Sequence, residues 1–157
     1  MDKNLLLETI KKVKESSKKK FNQKIDLIIN LKGINLKKQE ENIDLFITLP
    51  YFPGKKIKIC ALIGGEIADQ ASIFDKVIKK EEFNDYQDKK SLKMLSKEYD
   101  LFVAQANLMT EIAKVFGKTL GPKGKMPNPK YNGVVTPGVN FSELKNKLEK
   151  TIRLKTR

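Results

Sequence analysis

Leu6, Ile10 and Val13 recur at spacings of four and three among Lys11, Lys12 and Lys14. Apolar positions at that period line one face of a helix, so the pattern predicts an amphipathic helix over Asn4–Ser16. Ser16-Ser17-Lys18-Lys19-Lys20 closes it as a basic connector. Ile25–Leu31 is β-branched and partly alternating, and Asp44–Leu49 puts Leu45, Ile47 and Leu49 on one face. These predict two paired strands, joined by the polar loop Lys37–Asn42. Pro50, Pro53 and Gly54 then interrupt the pattern and mark a domain junction.

Beyond the junction the rhythm is strand, helix, strand, helix. Strands are predicted at Ile57–Ile63, Lys76–Ile78 and Asp100–Ala106, and helices at Glu66–Ile73, Asp88–Lys97 and Asn107–Phe116, the last with Asn107 as N-cap. Gly64-Gly65 reads as a tight strand-to-helix turn and lacks the spacing of a dinucleotide fingerprint. A final helix is predicted over Phe141–Leu154, opened by Asn140 or Ser142, with Leu144, Leu148 and Ile152 on one face. Strands alternating with helices imply a small, parallel, three-layer α/β unit.

Composition narrows what such a unit does. The 157 residues suffice for one ordinary domain or two small ones, and 39% are apolar. The net charge is +13 and the isoelectric point about 9.7. Such an excess opposes compaction and points to a polyanionic partner, nucleic acid or an anionic membrane. The membrane reading fails, because runs such as Ile57–Ile63 are short and interrupted by Lys58, and the first residues lack the apolar core of a signal peptide. The one cysteine, Cys60, lies in an apolar run; it excludes a disulfide framework, reads as a packing residue and fits a reducing, cytoplasmic setting. The chain has no histidine, so the commonest general base is missing, and no zinc site of Cys/His type can be assembled from its own residues. No catalytic residue, metal or cofactor is expected.

From Ile112 to Ser142 there are five lysines and no acid. Within that stretch, Gly117–Lys130 carries three Gly and three Pro, which predicts a stiff basic loop rather than helix or central strand. Two readings compete with a phosphate-contacting one. The first is a merely solvated loop. The second is a nucleotide phosphate loop, and its spacing fails: counting from Gly117, Pro122 stands where the second glycine is required, and Met126 follows Gly124-Lys125 in place of a hydroxyl residue.

The run Leu120-Gly121-Pro122-Lys123-Gly124-Lys125-Met126-Pro127-Asn128-Pro129-Lys130 resembles the signature of the large-subunit ribosomal protein L-one (stalk protein) family. Phe21–Asp26 resembles that family's first RNA-facing segment. Leu49-Pro50 with Gly54-Lys55 is similar to its domain junction, and Asp100–Met109 to its strand-to-helix turn in archaeal style. The resemblance implies an α/β protein of two domains. Domain I would comprise residues 1–52 plus 151–157, an α/β sandwich left incomplete; domain II, residues 53–150, would be a Rossmann-like three-layer α/β insertion. Family members continue past the position of Arg157 through a strand, a helix and a closing strand, and nothing here matches that segment or its Thr-Met-Gly type turn.

What the resemblance implies about function is RNA binding without catalysis. Its partners would be the large-subunit rRNA of the mobile stalk, exit-site tRNA, the protein's own messenger RNA and other ribosomal proteins, with no membrane. The RNA-contacting positions would be Lys20, Phe21, Gln23, Lys24 and Asp26, with Lys155 and Arg157 at the other end of the chain. Phe21 between basic residues offers aromatic contact beside phosphate neutralisation. Two other functions remain open at this point: a small α/β enzyme using Gly121–Lys130 as an anion cradle, and a stalk-protein paralogue without RNA binding.

Overall fold

The structure, a computed structural model, describes residues 2–17, 21, 28–35, 38, 41–86 and 88–156. Its contacts divide the chain into two units, residues 1–34 and 35–157.

In the first unit, helix α1 (Lys3–Ser16) starts where Asp2 stays extended and its carboxylate accepts the amide of Asn4 at 3.0 Å. That bond satisfies one of the N–H groups a helix start leaves without an intrahelical partner. Leu6 and Ile10 are half-buried, while Val13 is exposed. The strand expected over 25–31 is not found at residues 28–31, which carry no regular structure; 25–27 lie outside the described residues. Among the described residues, its expected partner, residues 44–48, pairs with a strand near the other end of the chain.

That partner, β1 (Asp44–Thr48), forms a two-stranded antiparallel ribbon with β6 (Thr151–Lys155). The register sets Asp44 against Lys155, Phe46 against Arg153 and Thr48 against Thr151. Leu49 N donates to Lys150 O at 2.8 Å and extends the pairing by one step. The helix expected over 141–154 therefore ends sooner: α4 spans Phe141–Glu149. Ile152 continues the helical spacing of Leu144 and Leu148, but Thr151-Ile152 is β-branched, and a strand partner was at hand in β1. Asn140, not Ser142, caps α4, its Oδ1 accepting from Ser142 N at 3.1 Å and Glu143 N at 3.4 Å.

The chain between the ribbon's two strands in sequence forms a four-stranded parallel sheet in the order β3 (Lys76–Lys79), β2 (Ile59–Ile63), β4 (Leu101–Gln105), β5 (Val134–Val135). Alternate residues of β2 point to opposite faces, and all five are buried. Cys60 and Leu62, with Phe102 and Ala104, meet α2 (Lys89–Glu98) and α3 (Met109–Leu120) through Leu92, Leu95, Ile112, Phe116 and Leu120. Ile59, Ala61, Ile63 and Val103 meet Phe141, Leu144 and Leu148 of α4 on the other face. This is the three-layer α/β arrangement the alternation implied. Asp88 caps α2 through Ser91 N.

Three local expectations are corrected. Residues 66–73 form two 3-10 turns, Gly65–Ile67 and Gln70–Ile73, rather than one α-helix; their closing bonds run three residues back, as in Phe74 N to Ala71 O at 3.0 Å. Asn107 does not cap α3, because it lies inside a preceding 3-10 turn, Ala106–Leu108. Residues 117–120 are helical, not loop. A mid-helix glycine costs roughly 1 kcal/mol, but Phe116 and Leu120, both fully buried, hold that last turn in place.

Candidate nucleic-acid interface

The Gly/Pro/Lys loop begins where α3 stops. Gly121 N donates to Gly117 O at 2.9 Å, and a Cβ on Gly121 would lie 2.7 Å from that same oxygen, so only glycine fits. Gly124 N then donates to Gly121 O at 2.9 Å and Lys125 N to Leu120 O at 3.0 Å. Gly124 takes a φ of 64°, the left-handed region that side chains disfavour. Pro127 is buried, and Asn128 caps the 3-10 turn Pro129–Tyr131 by accepting Lys130 N at 2.9 Å. Tyr131 anchors the loop's end: its buried hydroxyl donates towards Phe102 O at 2.9 Å, with Met126 O at 3.2 Å. Burial pushes its pKa up.

The lysines of this loop differ in role. Lys123 donates to Ser96 Oγ. Lys125 donates to two carbonyls at the end of α2, Ser96 O at 2.9 Å and Tyr99 O at 2.7 Å. A cation among the last carbonyls of a helix meets the negative end of its dipole, and burial lowers the Lys125 pKa. These two lysines hold the loop to α2. Lys130 is exposed on the other limb of the loop.

The loop is also fastened to the ribbon. Arg153 forks onto Asp44, with Nε to Oδ1 and Nη2 to Oδ2 both at 2.7 Å, while Nη1 donates to Gly124 O at 2.9 Å. The guanidinium carbon sits 5.3 Å from the centre of the Phe46 ring, and that ring lies 4.9 Å from Tyr131. The Arg153 fork holds the Asp44 carboxyl below its ordinary value and raises the Arg153 pKa. Asp44, Phe46, Tyr131 and Arg153 were not singled out from the sequence. Their signal would have been a strand at 151–155, which the helical spacing of Ile152 concealed.

Of the expected RNA-contacting residues, Phe21 is 66% exposed, so it is no core phenylalanine. Lys155 ends β6, exposed and opposite Asp44. Lys20, Gln23, Lys24, Asp26 and Arg157 lie outside the described residues. Gly121, Pro122, Lys123, Gly124, Lys125, Met126, Pro127, Asn128, Pro129 and Lys130 form the turn described above.

An anion cradle aims its backbone N–H groups at the ligand. Here the amides of Gly121, Gly124 and Lys125 are engaged inside the turn, and Lys123 and Lys125 both reach protein oxygens. A shallow depression of about 370 Å³ lies instead among Lys80, Phe83, Glu111 and Lys114, where Lys80 and Glu111 neutralise each other at 2.8 Å.

The loop is thus fastened to both α2 and the ribbon, in an α/β chain that carries surplus positive charge. Residues 13–157 match the ribosomal protein L1p/L10e family, and the chain belongs to that family, whose members are ribosomal proteins and not enzymes. It is 37% identical over 160 aligned positions to the large ribosomal subunit protein uL1 of Methanocaldococcus jannaschii, covering 100% of this chain and 71% of that protein. Against the uL1 of Methanothermococcus thermolithotrophicus the identity is 36%, covering 100% and 73%. Against that of Nanoarchaeum equitans it is 38%, covering 94% and 70%. No helix among the described residues is long and apolar enough to cross a membrane.

Proposed function

We propose that this chain is a structural constituent of the large ribosomal subunit in the cytoplasm, where it binds the rRNA of the mobile stalk beside exit-site tRNA. The observation that carries the reading is the family match over residues 13–157, borne by a chain of net charge +13. The same RNA surface would recognise the protein's own messenger RNA and repress its translation, and other ribosomal proteins would be its neighbours. Two domains are proposed, 1–52 with 151–157 and 53–150; the pairing of β1 with β6 joins 44–48 to 151–155 in that proposal, while by contacts this ribbon groups with the parallel sheet and not with residues 1–34.

Lys20, Phe21, Gln23, Lys24 and Asp26 are proposed to meet the RNA, with Lys155 and Arg157. An aromatic ring left in solvent beside basic residues suits stacking on a sugar or unpaired base. The test is binding to a stalk-type rRNA hairpin across a salt series. If about five phosphates are neutralised, the log–log slope should be roughly −3 to −4. Binding as tight to unrelated duplex RNA would overturn the specific reading. Phe21→Ala should weaken hairpin binding while leaving the melting temperature unchanged.

A further inference from the structure

In β6, residues 151, 153 and 155 share the face that meets Asp44, Phe46 and Thr48. The loop end comes to the same face, because the Phe46–Tyr131 ring contact carries the turn Pro129–Tyr131 onto β1. Lys130 and Lys155 thereby approach one carboxylate, and both act on Asp44 electrostatically. That carboxylate is already engaged on both oxygens by Arg153. Among the described residues, neither Lys130 nor Lys155 has an acidic partner within ion-pair distance. Three cations thus act on one anion, and two of them, Lys130 and Lys155, are exposed. Their backbones are fixed, Lys130 between Pro129 and the anchored Tyr131, Lys155 in a paired strand.

We infer that Lys130 and Lys155 form one phosphate-contacting edge, on which the sugar–phosphate backbone of RNA lies across the signature loop and the ribbon together. The inference rests on the RNA-binding reading above and extends it to a residue of the loop, Lys130. The loop's lysines then serve two different ends. Lys123 and Lys125 tie the loop to α2, and Lys130 faces the polyanion. Lysine suits this use, since it offers a compact point charge without a geometric demand on the phosphate.

The test measures hairpin affinity across a salt series for the full chain, for K130Q/K155Q and for K90Q/K93Q. The last pair lies on α2, which covers the opposite sheet face from the one nearest Phe46, and makes the same charge change. K130Q/K155Q should make the log–log slope less steep by about 1.5, with its melting temperature unchanged; K90Q/K93Q should not alter the slope. K130R/K155R, which keeps both charges, should retain the full slope. A specific, salt-dependent wild type whose slope survives K130Q/K155Q overturns this inference alone. A wild type that prefers no hairpin over unrelated duplex overturns the RNA reading with it.

Discussion

Gly124→Ala tests the fastening of loop to ribbon most sharply, because one methyl group does two separable things. Gly124 has a φ of 64°, and alanine there is strained in any surroundings. The strain should cost about 1–2 kcal/mol. The new Cβ would also fall inside van der Waals distance of Arg153 Nη1, the group that donates to Gly124 O at 2.9 Å. The arginine end can swing away, so the result is loss of that hydrogen bond, a further ~1 kcal/mol. G124A should therefore destabilise by about 2–3 kcal/mol, which for a chain of this size lowers the melting temperature by roughly 5–10 °C. Arg153→Met alone should cost about 2 kcal/mol, from the same hydrogen bond, the half-exposed ion pair with Asp44 and the contact over Phe46. In the R153M background only the backbone strain remains, so G124A should then cost about 1 kcal/mol less than in the wild type. Urea unfolding of the four proteins measures this. If G124A costs the same in both backgrounds, Arg153 does not hold the loop and the account of this contact is wrong.

Three further outcomes follow from the same geometry. Because Arg153 depresses the Asp44 pKa below its ordinary 3.8, the pair's stabilisation is present above that pH and lost as pH falls through the depressed folded value. The melting difference between wild type and Asp44→Asn should stay constant from about pH 5 to 8 and shrink below about pH 4, as calorimetry would read; a difference that vanishes by neutral pH contradicts the pairing. Tyr131→Phe removes the donor to Phe102 O and should cost about 1–3 kcal/mol by leaving that carbonyl unpaired, whereas a change under about 0.5 kcal/mol would show that the hydroxyl does not anchor the loop. Burial pushes the Cys60 thiol up to about 12, so a thiol reagent at pH 8 should label it only at the unfolding rate; rapid native labelling would refute its place in the core.

The parallel sheet was readable because its chemistry is local. Ile59–Ile63 and Leu101–Gln105 are apolar runs too short for helices and bounded by turn residues, and their burial on both faces follows from that composition. The ribbon was not readable. Its strands stand more than a hundred residues apart, and Ile152 fits the helical stripe of Leu144 and Leu148 as well as it fits a strand. Only tertiary contact, Arg153 on Asp44 and Phe46 on Tyr131, decides between them. The same holds for the loop. Its glycines and prolines announced a stiff turn, yet which lysines bond to the end of α2 depends on where that helix stops, and no periodicity encodes that. Gln105 was equally hidden: a polar residue closing an apolar strand, it is buried because its side chain accepts Gly64 N at 2.8 Å at the neighbouring strand's end.

The ribbon also sets an order of events. Thr48 and Thr151 are 103 residues apart, with the whole parallel sheet between them. Joining such distant points in an unfolded chain costs several kcal/mol of entropy, roughly 4 kcal/mol by the logarithmic dependence on loop length. A two-stranded ribbon cannot recover that by itself. Once the intervening sheet has condensed, β1 and β6 emerge from it as near neighbours, and most of the closure entropy has already been lost. The ribbon should therefore zip late, so that in a pulse-labelled refolding experiment the amide of Leu62 gains protection before that of Ile47. During synthesis the consequence is sharper still: β1 is made long before β6 exists, and it cannot take up this pairing until the sheet between them in sequence has been made.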